Sequence, residues 1–364
     1  MLPGNEPTRN GLPQNPDGIN LAASWYIALP AKDLRSRPQA LELFGLPLVA
    51  WRDGVGRPVV MPRYCPHMGA SLALGKVIGG RLQCPFHHWR FDGSGDCVGI
   101  PGVARIPTTA HRTTYPTVER YGFIWVWYGS AEPMFELPGF PALEADREEY
   151  IGYRFTDNSA GTVRQLLENA IDYFHFMKLH GLSMDPVRFE VLHDQGAARD
   201  NGPALADDAW FGVKVDGTLK TWRPWRNPTQ WVYSVVTSFG AGTQFTLLVD
   251  GWPGGQRFTT YIDGQEVSKV LLGITPTADR RTAQQGWALL KKTHKHHKTL
   301  LYFLLFYAQS RGGTMQDIPI YNTTATGRDS VYVAYDSALI KYRRYYQAWV
   351  DRADASQTRS EELS

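Results

Sequence analysis

Four side chains of the kinds that ligate iron lie within one short window. Cys65 and His67 form a C-x-H pair, and after sixteen intervening residues Cys84 and His87 form a C-x-x-H pair. The order Cys, His, Cys, His gives two similar loops, each with one thiolate and one imidazole. A [2Fe–2S] cluster in which two cysteines hold one iron and two histidines hold the other needs this distribution. A Cys2His2 zinc finger has a different spacing, C-x2-4-C followed by H-x3-5-H, and fits this window poorly.

A second group of candidate ligands lies on a helix that we predict over 159–178. Two imidazoles and one carboxylate are the ligands of non-haem Fe(II) sites that activate O2. His175 and His180 are five residues apart, roughly 140° around an ideal helix, so they meet only if the helix is distorted or ends between them. Gly181 indicates such an ending. The alternative is a surface helix with two incidental histidines and the acidic residue Asp172.

Taken together, the two groups resemble one family. The window 65–92 resembles the Rieske domain of the ring-hydroxylating oxygenases. These proteins carry the motif N-x2-D-x2-H-x4-H, which Asn169, Asp172, His175 and His180 match. The resemblance implies a Rieske [2Fe–2S] cluster in the window and a mononuclear Fe(II) on the two histidines. Asp172 is similar to a carboxylate that links an iron-ligating histidine to a cluster-ligating histidine of the neighbouring subunit, on the electron path.

The third iron ligand has to be a carboxylate from elsewhere in the chain. Candidates are Asp317, Asp329 and Asp336. In related oxygenases this ligand lies near the start of a late helix or loop, shortly before an aromatic residue, and the stretch 315–321 matches that context. Asp336 precedes Ser337-Ala338, where a helix cap is its more ordinary role. We therefore predict Asp317 as the ligand.

The elements that position these residues change type near residue 135. Short strands separated by Gly-rich turns are predicted at 24–29, 46–51, 58–61 and 122–128. We assign 21–135 to the Rieske domain, with the cluster loops between its strands. Residues 1–20 are rich in Pro, Gly and Asn and are predicted to be a disordered tail.

Residues 136–364 are predicted to be an α+β catalytic domain. A strand at 150–156 precedes the helix with the two histidines, and two helices, 298–309 and 335–352, end the chain. The strands between them are predicted at 209–215, 230–239, 244–249, 257–263 and 267–275. An antiparallel sheet with helices before and after it is an α+β arrangement. The resemblance implies a helix-grip (START-like) fold for this domain.

Composition limits the class of protein and its location. The chain has 364 residues and a net charge of +3, too weak to indicate nucleic-acid binding. Of three cysteines, two belong to the cluster window and Cys97 is predicted to be a small buried residue. No disulfide framework remains, so we expect a reducing cytoplasm. The apolar run 300–308 is too short to span a membrane, and the Lys- and His-rich run 291–298 is predicted to be a solvated helix start.

The resemblance extends to the arylamine N-oxygenases of the family. It is carried by 21–26, 84–90, 119–130 and 341–352. It implies an O2-dependent oxidoreductase that converts an aromatic or heteroaromatic amine to its nitro form through hydroxylamine and nitroso stages. C–H hydroxylation or O/N-demethylation of an apolar ring compound is the alternative, because 185–281, which we expect to line the pocket, aligns poorly. Aromatic candidates for the pocket are Phe174, Phe176, Trp210, Trp231 and Phe245.

Electrons have to come from outside this chain. It has no G-x-G-x-x-G after a strand and no flavin motif, so NAD(P)H is expected to act through a separate flavin reductase, a ferredoxin, or both. The family forms head-to-tail trimers, and we expect a homotrimer with no nucleic-acid or membrane partner. A Rieske electron-transfer protein would leave the second domain unexplained. A ligand-carrying pocket protein would not need Asp172, His175 and His180.

Overall fold

The computed structural model describes residues 21–182, 184–192, 207–220, 243–277, 281–325 and 331–362. The chain forms two compact units. The first contains the described residues of Met1–Met134, Thr275–Arg280 and Trp349–Ser364, and the second those of Phe135–Ile274 and Arg281–Ala348. Two late segments thus belong to the N-terminal unit, which the sequence did not predict. No helix of the described residues is long and apolar enough to cross a membrane.

The first unit consists of three small antiparallel sheets. Its strands are β1 (Ser24–Pro30), β2 (Gln39–Leu43), β3 (Leu46–Arg52), β4 (Pro58–Pro62), β5 (Lys76–Ile78), β6 (Arg81–Gln83), β7 (Arg90–Phe91), β8 (Cys97–Gly99), β9 (Thr117–Arg120) and β10 (Phe123–Tyr128). The strand orders are β1-β10-β9, β2-β3-β4 and β5-β6-β7-β8. The four predicted strands are confirmed as β1, β3, β4 and β10. The others are at most five residues long, too short for a clear alternation of apolar and polar residues.

Apolar burial holds this unit together and fixes the cluster loops. All six residues of β10 are buried, as a strand covered on both faces requires. A second group of buried side chains, including Leu72, Leu82 and Phe91, surrounds Cys65 and Cys84. As predicted, the two loops lie between strands, one joining β4 to β5 and the other β6 to β7. Cys97 is buried in the same group, as expected.

The second unit is built on one seven-stranded sheet. Its elements are β11 (Tyr150–Ser159), α1 (Val163–Asn169), α2 (Tyr173–Lys178), β12 (Met184–Val191), β13 (Phe211–Leu219), β14 (Gln244–Trp252), β15 (Gly255–Ile262), β16 (Gln265–Pro276), β17 (Thr282–Lys291), α3 (His296–Thr323) and α4 (Ser337–Glu362). The part of α4 from Trp349 onward and the end of β16 from Thr275 belong to the first unit. The order is β11-β17-β16-β15-β14-β13-β12. Strand β11 pairs antiparallel with β17, and each strand from β12 to β15 pairs antiparallel with the next one along the chain. This is the α+β fold that we predicted.

Several predicted boundaries in this unit are wrong. The single helix at 159–178 is two short helices, because β11 continues through Ser159 and the first helix begins after Thr162. Thr162 accepts a hydrogen bond from the backbone of Gln165, whose side chain accepts from the backbone of Thr162, so the helix starts at this capping box. Helix α3 is longer than predicted, and β12 and β17 were missed. The predicted strand at 230–239 lies outside the described residues.

Candidate functional site

The two cluster loops have the same backbone turn. The N–H of Cys65 donates to the carbonyl of Ala70 at 2.9 Å, and the N–H of Cys84 donates to that of Trp89 at 2.8 Å. The fifth residue of each loop is left-handed, with φ of 71° at Gly69 and 58° at His88. Glycine adopts this conformation freely, whereas histidine does so at some cost. Each loop thus begins with its cysteine in an equivalent position, which the spacing suggested.

The thiols and imidazoles of these loops differ in exposure. Cys65 and Cys84 are 2% and 1% exposed, whereas His67 and His87 are exposed. The two imidazole centroids lie 4.7 Å apart, and Trp89 stacks on His67 at 4.6 Å. This set of donors fits a cluster with a buried thiolate-bound iron and an imidazole-bound iron near the surface. A cluster held in this way can exchange electrons through its exposed side.

The Cys65 thiol does not ionise readily by itself. Burial, with the neighbouring Cys84 as a further cause, raises the pKa of Cys65 to about 11. Thiolate ligands are the form that binds metal, and the positive charge of bound iron favours that form. Cys65 is therefore suited to hold a metal cluster rather than to act as a nucleophile.

The break between α1 and α2 positions the first histidine of the second group. Asp172 is the N-cap of α2, and its Oδ1 accepts hydrogen bonds from the backbone N–H groups of Phe174 at 2.9 Å and His175 at 3.4 Å. Nδ1 of His175 donates to the main-chain oxygen of Asp172 at 2.5 Å. The resemblance implied a hydrogen bond between the Asp172 carboxylate and this histidine. In the structure the ring instead contacts the main chain of Asp172, and Oδ1 of the carboxylate is used as the helix cap.

The second histidine comes back to the first because α2 ends early. The helix ends at Lys178, and Gly181 has a φ of 69°, which confirms the predicted ending. The imidazole centroids of His175 and His180 lie 5.1 Å apart. Nδ1 of His180 donates to Oε1 of Gln316 at 3.0 Å. In both histidines Nδ1–H thus donates to a carbonyl oxygen, which leaves Nε2 as the nitrogen with a lone pair for a metal.

Asp317 of α3 completes the group. Its Oδ1 lies 3.3 Å from Nε2 of His180, and one ligand atom from each of His175, His180 and Asp317 lies within 4.8 Å of the others. Of the other carboxylates considered, Asp336 caps a short turn by accepting from the backbone of Val333, and Asp329 lies outside the described residues. The structure therefore brings together the three residues that we predicted as iron ligands.

The group fits a metal ion by its own geometry. Oδ1 of Asp317 is buried and accepts no well-directed hydrogen bond from the described residues. Burial lowers the pKa of His175, which favours the neutral ring that binds metal. At His180, burial acts in the same direction but is outweighed by the Asp317 carboxylate, which raises the pKa. Two imidazoles and one carboxylate on one side of an open space form a site suited to Fe(II). In the structure, Nδ2 of Asn169 donates to Nε2 of His175 at 3.2 Å, so a metal that binds this nitrogen would take the place of that hydrogen bond.

These residues open into a cavity of about 190 Å³ between the sheet and helices α1 to α3. Its sheet wall is made by alternate positions of four adjacent strands, since alternate side chains share one face. The wall residues are Tyr153, Phe155, Asp157, Gln256, Phe258, Val270, Leu272, Gln284 and Ala288. Of the aromatic residues predicted for the pocket, Phe176 lines it. Phe174 stacks on Tyr335, Trp210 is buried core, Phe245 does not line it, and Trp231 lies outside the described residues.

Helix α3 is tied to β11 beside this cavity. The guanidinium of Arg311 donates twice to the carboxylate of Asp157, at 2.5 and 2.7 Å, and Tyr153 is hydrogen-bonded to Ser310. Two parallel hydrogen bonds between an arginine and a carboxylate define orientation as well as distance. Because Arg311 and Asp317 are on the same helix, the ion pair helps to place the third candidate ligand. The basic run at the start of α3 is largely exposed, as predicted.

Comparison with known proteins agrees with this description. A family model described as Rieske [2Fe-2S] domain matches residues 24–110. Aminopyrrolnitrin oxygenase PrnD of Pseudomonas fluorescens is 35% identical over 340 residues, which cover 91% of this chain and 92% of that protein. A 3-ketosteroid-9-alpha-monooxygenase oxygenase component of Rhodococcus rhodochrous is 34% identical over 354 residues, covering 92% and 85%. The similarity therefore extends well beyond the cluster window.

Solved structures share the fold over most of the chain. Dicamba monooxygenase bound to 3,6 dichlorosalicylic acid has a TM-score of 0.66 at 18% identity, covering 91% of this chain and 97% of that one. Pseudomonas putida CBB5 NdmA with caffeine has a TM-score of 0.67 at 21% identity, covering 92% and 93%. At these identities the likeness concerns the fold, which is common to most of each chain.

Proposed function

The chain belongs to the Rieske non-haem iron oxygenase family, and from this premise we propose that it oxidises a small aromatic or heteroaromatic amine to the nitro compound, through hydroxylamine and nitroso stages. It is an O2-dependent oxidoreductase. The observation that carries the N-oxygenation is the 35% identity to aminopyrrolnitrin oxygenase across 91% of this chain. The cavity beside the candidate iron ligands supplies the physical support.

Each centre has its proposed ligands. Cys65, His67, Cys84 and His87 would hold the [2Fe–2S] cluster. His175, His180 and Asp317 would hold the mononuclear Fe(II). When bound, the cluster supplies electron transfer and the single iron supplies O2 activation. The protein's own contribution is to fix both ligating histidines through Nδ1 and to keep the ligands of the second site at the edge of an apolar cavity.

The size of the cavity favours a small ring compound. At about 190 Å³, it is close to the roughly 150 Å³ cavity that accommodates benzene and smaller than sites for drug-sized ligands. Aromatic residues on several sides, among them Phe155, Phe176 and Phe258, suit a flat ring. A substituted arylamine of one or two rings fits these dimensions better than a four-ring steroid.

The second candidate is hydroxylation at carbon, or O/N-demethylation, of an apolar ring compound. The observation in its favour is the 34% identity to a protein named as a 3-ketosteroid-9-alpha-monooxygenase oxygenase component, over almost the same share of the chain. The apolar lining of the cavity would serve either reaction. The identity of the group placed nearest the iron ligands separates the two candidates.

Electron supply is proposed to follow the family pattern. We infer a separate flavin reductase, with or without a ferredoxin, that takes electrons from NAD(P)H. We further propose a homotrimer in which Asp172 accepts a hydrogen bond from a cluster histidine of the neighbouring subunit, so that electrons pass from that cluster to the mononuclear iron through this contact. This role is supported by Oδ2 of Asp172, to which no hydrogen bond is recorded among the described residues, while Oδ1 caps α2.

The test is turnover of the purified protein with a surrogate reductase, NADH and labelled O2. We expect p-chloroaniline to give p-chloronitrobenzene with both oxygen atoms from O2, and about three Fe per chain in the active protein. Two Fe per chain and no turnover would indicate an electron carrier. A protein without iron would indicate a ligand carrier. Oxidation at a ring carbon or a methyl group with the amine untouched would contradict N-oxygenation.

A further inference from the structure

Three buried polar atoms of cavity-lining residues have no hydrogen-bond partner among the described residues. They are Oδ1 of Asp317, Oε1 of Gln256 and Nε2 of Gln284. Burying a polar group without a partner is destabilising, so each such atom requires an explanation. The proposed iron explains Asp317. It does not explain an amide oxygen and an amide nitrogen, which bind organic groups by hydrogen bonding.

The orientation of the Gln256 amide is determined by its surroundings. Gln256 is 2% exposed, and its Nε2 donates to the main-chain oxygen of Leu167 at 2.8 Å. Exchanging the two ends of the amide would place oxygen against oxygen, so Oε1 is the atom without a partner. Leu167 lies two residues before Asn169, which contacts the ring of His175. Gln256 is therefore fixed near the candidate iron site as an unused hydrogen-bond acceptor.

Gln284 supplies a second buried amide, whose Nε2 has no hydrogen-bond partner among the described residues. It is 8% exposed and lies on β17, opposite Asp157 of β11. Gln256 lies on β15, and only β16 separates the two strands, so their backbones are roughly 10 Å apart. Both residues are on the sheet face that lines the cavity. Two glutamine side chains at this separation can approach opposite sides of one small polar group.

Several other polar side chains of the cavity are already occupied. Asp157 and Arg311 pair with each other, Ser310 bonds to Tyr153, and Thr314 donates to the main-chain oxygen of Ser310. A ligand that enters this space therefore meets a largely apolar wall in which the two glutamine amides keep unpaired atoms. This pattern selects a ring with a single polar substituent that can both donate and accept.

We propose that Gln256 and Gln284 are specificity-determining residues that recognise the nitrogen substituent of the substrate. Gln256 Oε1 accepts a hydrogen bond from the amine N–H, and Gln284 Nε2 donates to the oxygen that the nitrogen acquires. An arylamine is chiefly a donor, a hydroxylamine both donates and accepts, and nitroso and nitro groups only accept. Gln256 thus serves the early stages and Gln284 the late ones. This inference rests on the proposed N-oxygenation for its substrate class.

Equilibrium binding to the metal-loaded protein, without reductant, tests the assignment. The ligands are p-chloroaniline, p-chlorotoluene and p-chloronitrobenzene, which differ in one substituent. We expect Gln256→Met to weaken binding of the aniline about tenfold and to leave the toluene unchanged. We expect Gln284→Met to weaken binding of the nitro compound by a similar factor and to affect the aniline little.

The matched control is Gln285→Met. Gln285 is the same residue type, is 7% exposed and adjoins Gln284, but it lies on the other face of the sheet and does not line the cavity. We expect this variant to bind all three ligands like the unchanged protein. The visible spectrum of the cluster and the melting temperature show whether each variant is folded. If Gln256→Met does not fold, the unchanged protein still has to prefer the aniline over the toluene by about tenfold.

The outcomes separate this inference from the proposed function. An equal loss of affinity for all three ligands in either cavity variant would overturn the assignment, because it would indicate a packing effect. The same loss of affinity in Gln285→Met would overturn it for the same reason. Nitro-compound formation by a protein that binds the aniline and the toluene equally would overturn the assignment and leave the proposed function intact. Glutamine-dependent preference for the amine, with oxidation at carbon, would support the assignment and contradict N-oxygenation.

Discussion

The two candidate metal sites of this protein are built in opposite ways. The cluster ligands lie within one window, 65–87, on two loops with the same backbone turn, and their imidazoles are exposed. The mononuclear group combines two histidines at and beyond the end of α2 with Asp317 of α3, and all three line a cavity. One site is defined by local chain geometry, whereas the other exists only once distant segments pack together.

This difference agrees with what each site has to do. A cluster that receives electrons from another protein needs an accessible side, and exposed His67 and His87 provide it. A site that joins O2 to a substrate needs a space that excludes water and orients the substrate. The wall of alternate strand positions, with Phe258 and Leu272 among them, supplies that space. Exposure at one site and enclosure at the other are therefore both functional requirements.

The largest expected effect comes from removing a ligand of either site. We expect Asp317→Ala to lose the mononuclear iron and nearly all activity, at least a thousandfold, while the cluster spectrum is unchanged. We expect Cys84→Ser to lose the cluster and to keep the single iron. Iron analysis, visible absorption and turnover measure both. Asp336→Ala is the control, because that carboxylate caps a turn and lies outside the cavity. Retention of the third iron in Asp317→Ala would refute the ligand assignment.

A smaller effect is expected at the proposed link between the sites. Asp172→Asn keeps the side-chain oxygen that caps α2, so both metals and the free energy of unfolding should stay close to those of the unchanged protein. Loss of the charge should slow electron transfer from the reduced cluster at least tenfold. Stopped-flow oxidation of the reduced cluster, with substrate and O2, measures this rate.

Asp172→Ala then separates the two roles of the residue. It removes the cap as well as the charge, and it should lower the free energy of unfolding by about 1 kcal/mol. Chemical denaturation of the holoprotein measures that loss. An Asp172→Asn protein that transfers electrons at the full rate would show that Asp172 acts only as a helix cap.

The smallest effect concerns the two cluster loops. Gly69 has a φ of 71°, and an added Cβ meets nothing within 4 Å, so Gly69→Ala should lower the free energy of unfolding by about 1 kcal/mol through backbone strain alone. His88→Gly should change the free energy of unfolding in the opposite direction, raising it by up to about 1 kcal/mol, because relief of the same strain exceeds the greater freedom of glycine in the unfolded chain. Denaturant titration of the two variants makes the comparison. Equal effects at the two positions would contradict the equivalence of the loops.

Features that depend on local chemistry were predicted more accurately from the sequence than features that depend on packing. The end of α2 before His180 was predicted from Gly181 and is confirmed. The prediction of a single helix at 159–178 was wrong, because the capping box at Thr162 starts one helix and the N-cap Asp172 starts another. The apolar residues between them gave no sign of the break. That break matters, since it turns Asp172 from a residue within a helix into a cap that also accepts from the ring of His175 through its main chain.

The pocket was the least predictable part. Of the candidate aromatic residues, Phe176 lines the cavity, whereas Gln256 and Gln284 had no signal of their own in the sequence. Their position follows from strand register, which places alternate residues of β15 and β17 on one face. Burial and the shortage of partners then distinguish them from other glutamines. Register and burial are properties of the folded sheet.

By itself, the sequence determined the family, the α+β class, the cluster window and the two histidines proposed as iron ligands. These follow from residue types at fixed short spacings, which a loop or a helix end converts directly into positions. Only the tertiary structure decided that Asp317, and not Asp336, lies beside His180, and that two glutamines share a wall with them. Contacts between segments far apart in the chain depend on how sheet and helices pack, and no local spacing encodes that arrangement.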